Sequence, residues 1–354
     1  MKLTFPILFL LVLMSFSCSD SSSNSPAKEE NLEPSLRNSP TFPVGFAIQK
    51  QHLRNGNYVN ILKEDAASIS AEYEMKMSIL YPSISGVDYN PLNTFLEYSE
   101  VNDTRVHGHT LIWHNATPSW LENYEGSDVA FENIVKNYIK ETVSNYKGRI
   151  ASWDVVNEAF SDGAGEYRNS VFYQRIGNDY IEKAFEWARE ADPDLLIFYN
   201  DYGTIYDTQK YAAMIRMIDD FQSRGVPIDG VGFQMHISYN FPSLQQIRNA
   251  VEPILERGLM VHFSELDIRV NPDAENVAFN AELSNRQVQK VEEIFGYYRT
   301  IPAEYQFGIT FWGMKDDDTW LRNFWQNERE WPLLYDDNFN PKPAHRAIIE
   351  MFEE

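Results

Sequence analysis

The sequence predicts an α/β protein, a (β/α)8 TIM barrel, and three observations carry that prediction. From Phe42 onward, short apolar runs alternate with longer amphipathic segments, the pattern of parallel strands joined by helical crossovers. Two of the runs end in a carboxylate, at the strand ends where such barrels place functional side chains. No glycine-rich phosphate loop follows the first run, so the nucleotide-binding version of the competing doubly wound open sheet lacks support. The 354 residues leave room for two domains by size alone, but barrels of this length are common as single domains.

In chain order, the expected strands are Val44–Ile48, a weaker one near Met75–Tyr81, Arg105–Trp113, Ile150–Asn157, Leu195–Asn200, Gly230–Ile237, Met260–Ile268 and Gln306–Trp312. Amphipathic helices are expected at Asn133–Tyr146, Tyr180–Ala191, Thr208–Arg224, Leu244–Arg257 and Asn285–Tyr298. Eight strand–helix units close naturally into a barrel. No internal repeat is visible.

Residues 1–17 read as a signal peptide. Lys2 supplies the positive start, and the apolar stretch Phe5–Phe16 is too short to span a membrane comfortably. Cys18 is the only cysteine of the chain. A lone cysteine after a hydrophobic run resembles the lipidation site of a bacterial lipoprotein, although Phe16 departs from the tightest form of that pattern. Residues 18–40, a lipidated cysteine and a Ser-rich stretch without apolar periodicity, read as a flexible tether. Residues 41–354 are expected to form the catalytic barrel. Export is expected, as a membrane-anchored lipoprotein at the periplasm or cell surface, or otherwise by secretion.

The net charge is −22. Phosphates repel such a surface, which argues against nucleic-acid partners; membrane contact is expected only through the lipid anchor. The plain reading of the acidity is solubility. The 8 Trp, 20 Tyr and 22 Phe suit stacking on sugars, but they also suit cores, so composition alone decides nothing.

The chemistry lies in Trp153-Asp154-Val155-Val156-Asn157-Glu158 and in His262-Phe263-Ser264-Glu265-Leu266-Asp267. Two carboxylates facing one barrel mouth suit glycoside hydrolysis, where one donates a proton to the leaving oxygen and the other attacks the anomeric carbon. Their pKa values must then be pushed apart by environment. Taken singly, either Glu reads equally well as a strand-end residue paired with a helix cap or a surface arginine.

Six segments in order bring in a family. Trp153–Glu158 resembles the acid/base motif of glycoside hydrolase family 10, the xylanase family, and Gly258–Ile268 resembles its nucleophile signature. His107–His114, Gly232–His236, Phe311–Met314 with Thr319-Trp320, and Pro332–Tyr335 with Pro341–Ala344 resemble its other motifs. The resemblance covers about residues 42–350. It implies a retaining endo-1,4-β-xylanase acting on xylan or a related β-glycan, expected to be a monomer and to need no metal or organic cofactor. By the same resemblance, Glu158 is the acid/base and Glu265 the nucleophile. Asn157 bonds the sugar 2-OH, His236 bonds Glu265, and Asp267 orients His236. Gln234 positions groups around the nucleophile and substrate. Lys76, His109, Trp312 and Trp320 line the sugar site before the cut, Trp113 packs beneath it, and Glu72 joins the substrate-binding set.

Departures fall elsewhere. Tyr73 stands where the family usually has Asn, and Met77 where it has Trp. A Tyr cannot copy a donor–acceptor amide. Arg322–Trp331 is longer than the usual connection, and His345-Arg346 replaces an aromatic pair, expected to be structural. These departures motivate a rival substrate, a different β-glycan or an unusually substituted xylan; a more remote rival is a surface glycan-binding lipoprotein with little turnover. Three features have plainer readings. His107, His109 and His114 suggest a metal site, but no nearby carboxylate or cysteine completes one. Asp316-Asp317-Asp318 resembles a calcium loop without its glycine or distal glutamate and reads as a solvated loop. Trp153, Phe185 and Trp187 read as packing residues.

Overall fold

The computed structural model describes residues 33–353. The expected signal peptide, Cys18 and most of the expected tether lie outside the described residues. Eight parallel strands close into a barrel in sequence order: β1 (Val44–Ile48), β2 (Ser68–Ala71), β3 (Arg105–Trp113), β4 (Ser152–Asn157), β5 (Leu196–Asp201), β6 (Gly230–Ser238), β7 (Met260–Arg269) and β8 (Gln306–Phe311), with β8 pairing back to β1. The helices that return the chain are α1 (Gly56–Asp65), α2 (Asn90–Asn102), α3 (Asp128–Asn145), α4 (Tyr180–Ala191), α5 (Thr208–Arg224), α6 (Leu244–Glu256), α7 (Ala281–Tyr298) and α8 (Pro343–Glu350).

Local sequence explains where helices begin. Ser127 caps α3 by accepting from the Ala130 amide, Asp207 caps α5 through Gln209 and Lys210, and Ser243 forms a capping box with Gln246 at α6. Such side chains satisfy amide donors that the first helical turn leaves free. Gly225 ends α5 in the left-handed conformation, which glycine adopts without a Cβ clash.

The strand expected near Met75–Tyr81 is not a strand. The second strand is Ser68–Ala71, and Met77–Leu80 is a single helical turn. Met75, Met77 and Leu80 are buried, so the apolar run signals packing beneath the barrel mouth. The true strand, with one large residue among small ones, carries little apolar signal.

Two other expectations change. The tether does not reach residue 40: Leu36 is fully buried, its amide bonds Asp65 at 3.0 Å, and Arg37 bonds the carbonyls of Ala66, Asn102 and Asp103. The segment is therefore packed as part of the folded unit. Nor is Asp316–Asp318 a solvated loop. Asp316 is buried against Lys342 at 2.9 Å and accepts from the Leu333 amide, and Asp318 accepts from the Tyr58 hydroxyl; only Asp317 is exposed. His345 is structural as expected, bonding Asp65 at 2.7 Å to tie α8 to α1.

The barrel interior below the mouth is an aromatic layer. His107, His262, Phe198 and Phe307 meet edge to face or tilted, with centroids 4.5–6.3 Å apart. One nitrogen of each histidine is matched, His107 Nδ1 to Ser152 and His262 Nε2 to Thr310, each at 2.8 Å. Close approach demands glycine at Gly108, where a Cβ would lie 2.2 Å from the Trp153 ring. Trp153, Phe185 and Trp187 are buried packing residues, as expected.

Leu36 supplies a test of where the folded unit begins. Leu36→Ala is expected to cost about 2–5 kcal/mol, the range for deleting a buried leucine side chain. Urea denaturation checks it; a tether residue would show no change in midpoint.

Candidate active site

The mouth of the barrel is built by strand irregularities. Between Ser264 and Asp267, β7 carries one residue more than β6 does between Gln234 and His236, and the same excess recurs against β8. The additional residue in this bulge lets Glu265 turn out of the regular alternation. β4 carries an extra residue against β5 between Asp154 and Val156. Glu265 and Glu158 both adopt left-handed backbone, with φ of 58° and 56°. For residues with a Cβ such geometry costs on the order of 1 kcal/mol or more and persists only where the surroundings impose it.

Those surroundings are hydrogen bonds. Glu265 accepts from the Asn200 amide at 2.7 Å on one oxygen and from His236 at 3.1 Å on the other. His236 also bonds Asp267 at 2.8 Å, and Trp320 donates its indole N–H to the same Asp267 oxygen at 3.0 Å. Glu158 accepts from the Trp113 indole at 2.8 Å on one oxygen, and from Gln234 at 3.2 Å and Asn157 at 3.3 Å on the other. Asn157 accepts in turn from Asn200 and Gln234, each at 3.0 Å.

The two carboxylates therefore differ in company. Burial alone would raise the Glu265 pKa, but the His236 bond, the charges of His109 and His236, and the Asn200 amide outweigh it and hold the carboxyl below the usual glutamate range. Burial would lower His236, but Asp267 and the bonds to both carboxylates push it up to about 10. His236 is then an imidazolium with both N–H groups donating. Burial pushes the Asp267 carboxyl up in spite of His236 and Trp320. Every hydrogen-bond partner of the Glu158 carboxyl is neutral.

The sequence-predicted residues converge. His109 lies 4.0 Å from Glu265, bonds Asp154 at 2.9 Å, and presents its ring to Trp312 with centroids 5.1 Å apart. Lys76 sits over the Trp113 ring at 4.6 Å; burial pulls its pKa down despite the carboxylates of Glu265, Glu72 and Glu158. Glu72 is buried at the rim and accepts from Gln49 at 2.8 Å. Trp113 does more than pack, since it holds Glu158. Gln234, expected to position groups around the nucleophile and substrate, donates to Asn157 and to Glu158. His107 and His109 are joined by Asp154, a carboxylate distant from them in sequence. The sequence reading missed Asn200, whose only signal was a polar side chain ending an apolar strand, and Ser264, which donates to it at 2.6 Å.

This arrangement of strand ends and carboxylates can be set against known proteins. The profile described as glycosyl hydrolase family 10 matches residues 35–351. The chain belongs to glycosyl hydrolase family 10. Family 10 relatives include endo-1,4-beta-xylanase B of Thermotoga neapolitana, 37% identical over 297 residues, 84% of each chain. The beta-1,4-xylanase of Dictyoglomus thermophilum is 35% identical over 353 residues and 97% of each chain. Among solved structures, Cellvibrio japonicus xylanase 10C in complex with xylopentaose superposes with a TM-score of 0.86 at 33% identity, covering 90% of this chain and 69% of that one. Thermotoga petrophila xylanase 10B in complex with xylobiose superposes at 0.82 and 34% identity, covering 90% and 94%.

The family 10 site carries a pH signature. Glu265 has a folded pKa below its ordinary 4.5, so its contribution to stability is present above 4.5 and lost as pH falls through the folded value. His236 is raised, so its contribution is full below 6.5 and lost as pH rises through about 10. In His236→Asn, burial of Glu265 remains while a group holding it down is gone. The acid limb of the kcat/KM profile is expected to move to higher pH. At neutral pH kcat/KM should fall about tenfold to a hundredfold, the worth of one charge-assisted hydrogen bond. An unmoved acid limb would show that His236 does not hold Glu265 ionised.

Proposed function

We propose that this chain is a retaining endo-1,4-β-xylanase, with Glu158 as acid/base and Glu265 as nucleophile. The observation that carries the assignment is the contrast between the two carboxylates: Glu265 clamped beside a cationic imidazole, Glu158 among neutral donors. In the first step Glu158 gives its proton to the glycosidic oxygen while Glu265 attacks the anomeric carbon, forming a covalent glycosyl-enzyme. In the second, Glu158 takes a proton from water, which displaces Glu265 from the same carbon. Asn157, held by Asn200 and Gln234, is turned to meet the sugar 2-OH, a contact that strengthens in the transition state. The family and the xylanase relatives support the substrate.

One observation favours a substrate of modified form. Tyr73, standing where the family usually has Asn, is 47% exposed, with Lys76 5.1 Å from its ring centroid. An exposed phenol beside the cleft offers a stacking face in place of amide hydrogen bonds, which suits xylan with side groups or another β-glycan.

The N-terminus extends the reading. The apolar stretch before Cys18, the single cysteine, supports removal of residues 1–17 and lipidation at Cys18, with the barrel carried outside the cytoplasm on a short tether. Cys18→Ala is expected to abolish incorporation of labelled palmitate and release the protein from membranes in fractionation.

Product analysis on plain and substituted xylans tests the function. Xylo-oligosaccharides first released with the β-configuration by proton NMR are expected, and Glu265→Ala should cut kcat by about 10^4-fold or more, leaving only binding and residual electrostatics. An α-configured first product would overturn the retaining mechanism, and no release from any xylan by folded protein would point to another β-glycan.

A further inference from the structure

Glu158 stands at an unfavourable φ, and the peptide unit that follows it is gripped on both sides. Its carbonyl oxygen accepts from Arg168 Nε at 3.0 Å. The N–H of the same peptide, belonging to Ala159, donates to the Tyr199 hydroxyl at 3.1 Å. These two grips are the ends of one circuit. Tyr199 donates to Asp201 at 2.6 Å; Asp201 pairs with Lys210 at 2.7 Å; Lys210 reaches Asp162 at 3.0 Å; Asp162 accepts from Tyr202 at 2.6 Å; and Tyr202 accepts from Arg168 at 2.6 Å. The Lys210 ammonium also lies 3.6 Å from the centroid of the Tyr202 ring.

Tyr199, Asp201 and Lys210 are fully buried, and none of them contacts the Glu158 carboxyl. A buried lysine and aspartate are costly to desolvate and are retained only where their geometry is closely satisfied. Here each polar atom of the pair has a partner in the circuit, and Asp201 also accepts from the Tyr202 amide at 2.9 Å. Caps at Asp207 already hold the start of α5, so Lys210 is not needed to begin that helix.

We infer that Tyr199, Asp201 and Lys210 are positioning residues for the acid/base, locking the Glu158–Ala159 peptide so that the Glu158 carboxyl meets the glycosidic oxygen. The inference rests on the reading of Glu158 as acid/base. Its consequence is specific: loosening the circuit harms proton delivery before it harms binding or nucleophilic attack, because Glu265 and the sugar-facing tryptophans are held by other groups.

Aryl β-xylobiosides separate these effects. A 2,4-dinitrophenyl leaving group needs no proton, whereas a phenyl leaving group does. Tyr199→Phe and Lys210→Met are expected to lower kcat/KM on the phenyl substrate about tenfold to a hundredfold, the scale for a reacting group misplaced by about 1 Å, while leaving the dinitrophenyl substrate within about twofold, well under the threshold set by 1 kcal/mol. Azide, which needs no base to attack the glycosyl-enzyme, should restore kcat on the dinitrophenyl substrate in both variants. Glu158→Ala is the reference. If it shows the same split and the circuit variants lower both substrates equally, or neither, the positioning role is wrong and the acid/base reading stands. If Glu158→Ala itself lowers both substrates equally, the acid/base reading fails and takes this inference with it. Should Lys210→Met prove unfolded by circular dichroism, Tyr199→Phe, which removes one hydroxyl and no charge, decides alone.

Discussion

The side chain of Asn200 is the point on which both halves of the site depend. It lies next to last on β5, yet it reaches Asn157 on β4 and Glu265 on β7, and its oxygen takes the Ser264 hydroxyl. Its backbone carbonyl accepts from the Glu158 amide at 2.9 Å. One residue thus touches the backbone of one glutamate and the carboxyl of the other. The intervening strand, β6, makes room by offering no side chain there: a Cβ on Gly232 would sit 2.2 Å from the Asn200 oxygen. The separation and aim of the two carboxyls are therefore set by strand order and by a glycine, before any substrate arrives.

The same economy explains the strained backbone. A regular parallel strand alternates its side chains between the barrel interior and the helix layer. A carboxylate that must face along the barrel axis fits neither direction. The bulge in β7 and the left-handed residues at Glu158 and Glu265 supply the missing direction. Their cost is offset by the bonds made in that conformation, the Arg168 and Tyr199 grips on one side and the Asn200 and His236 clamp on the other. Strain at a functional position and dense hydrogen bonding around it are here two aspects of one design.

Sequence alone carried the barrel and pointed to its two strand-end glutamates because both write strong signals. The runs that lead to Asn157-Glu158 and to Glu265 are largely apolar, and a carboxylate at such an end is conspicuous. The second strand was misplaced because Ser68, Ser70 and Ala71 are small, so burial there comes from close packing and not from apolar side chains. Asn200 was passed over because an amide at a strand end has no fixed meaning until the partners on β4 and β7 are in place. Asp316 read as solvated because nothing nearby in sequence announces Lys342, which pairs with it. Leu36 read as tether because a single apolar residue in a polar stretch has no period. For Asn200 and Asp316 the missing information was long-range pairing, which periodicity cannot encode.

Long-range pairing also accounts for the unequal chemistry of two identical side chains. Glu265 emerges from β7 two residues before Asp267, and the bulge between them brings both within reach of one imidazole from β6. The cation held between the two carboxylates draws the Glu265 pKa down even though burial opposes it. Glu158 emerges from β4, whose neighbours offer an indole from β3 and amides from β4 and β6, none of them charged. The two carboxylates are thus distinguished by which strands stand beside them. The imidazolium bonded to Glu265, with no charged hydrogen-bond partner at Glu158, is what separates the two side chains electrostatically.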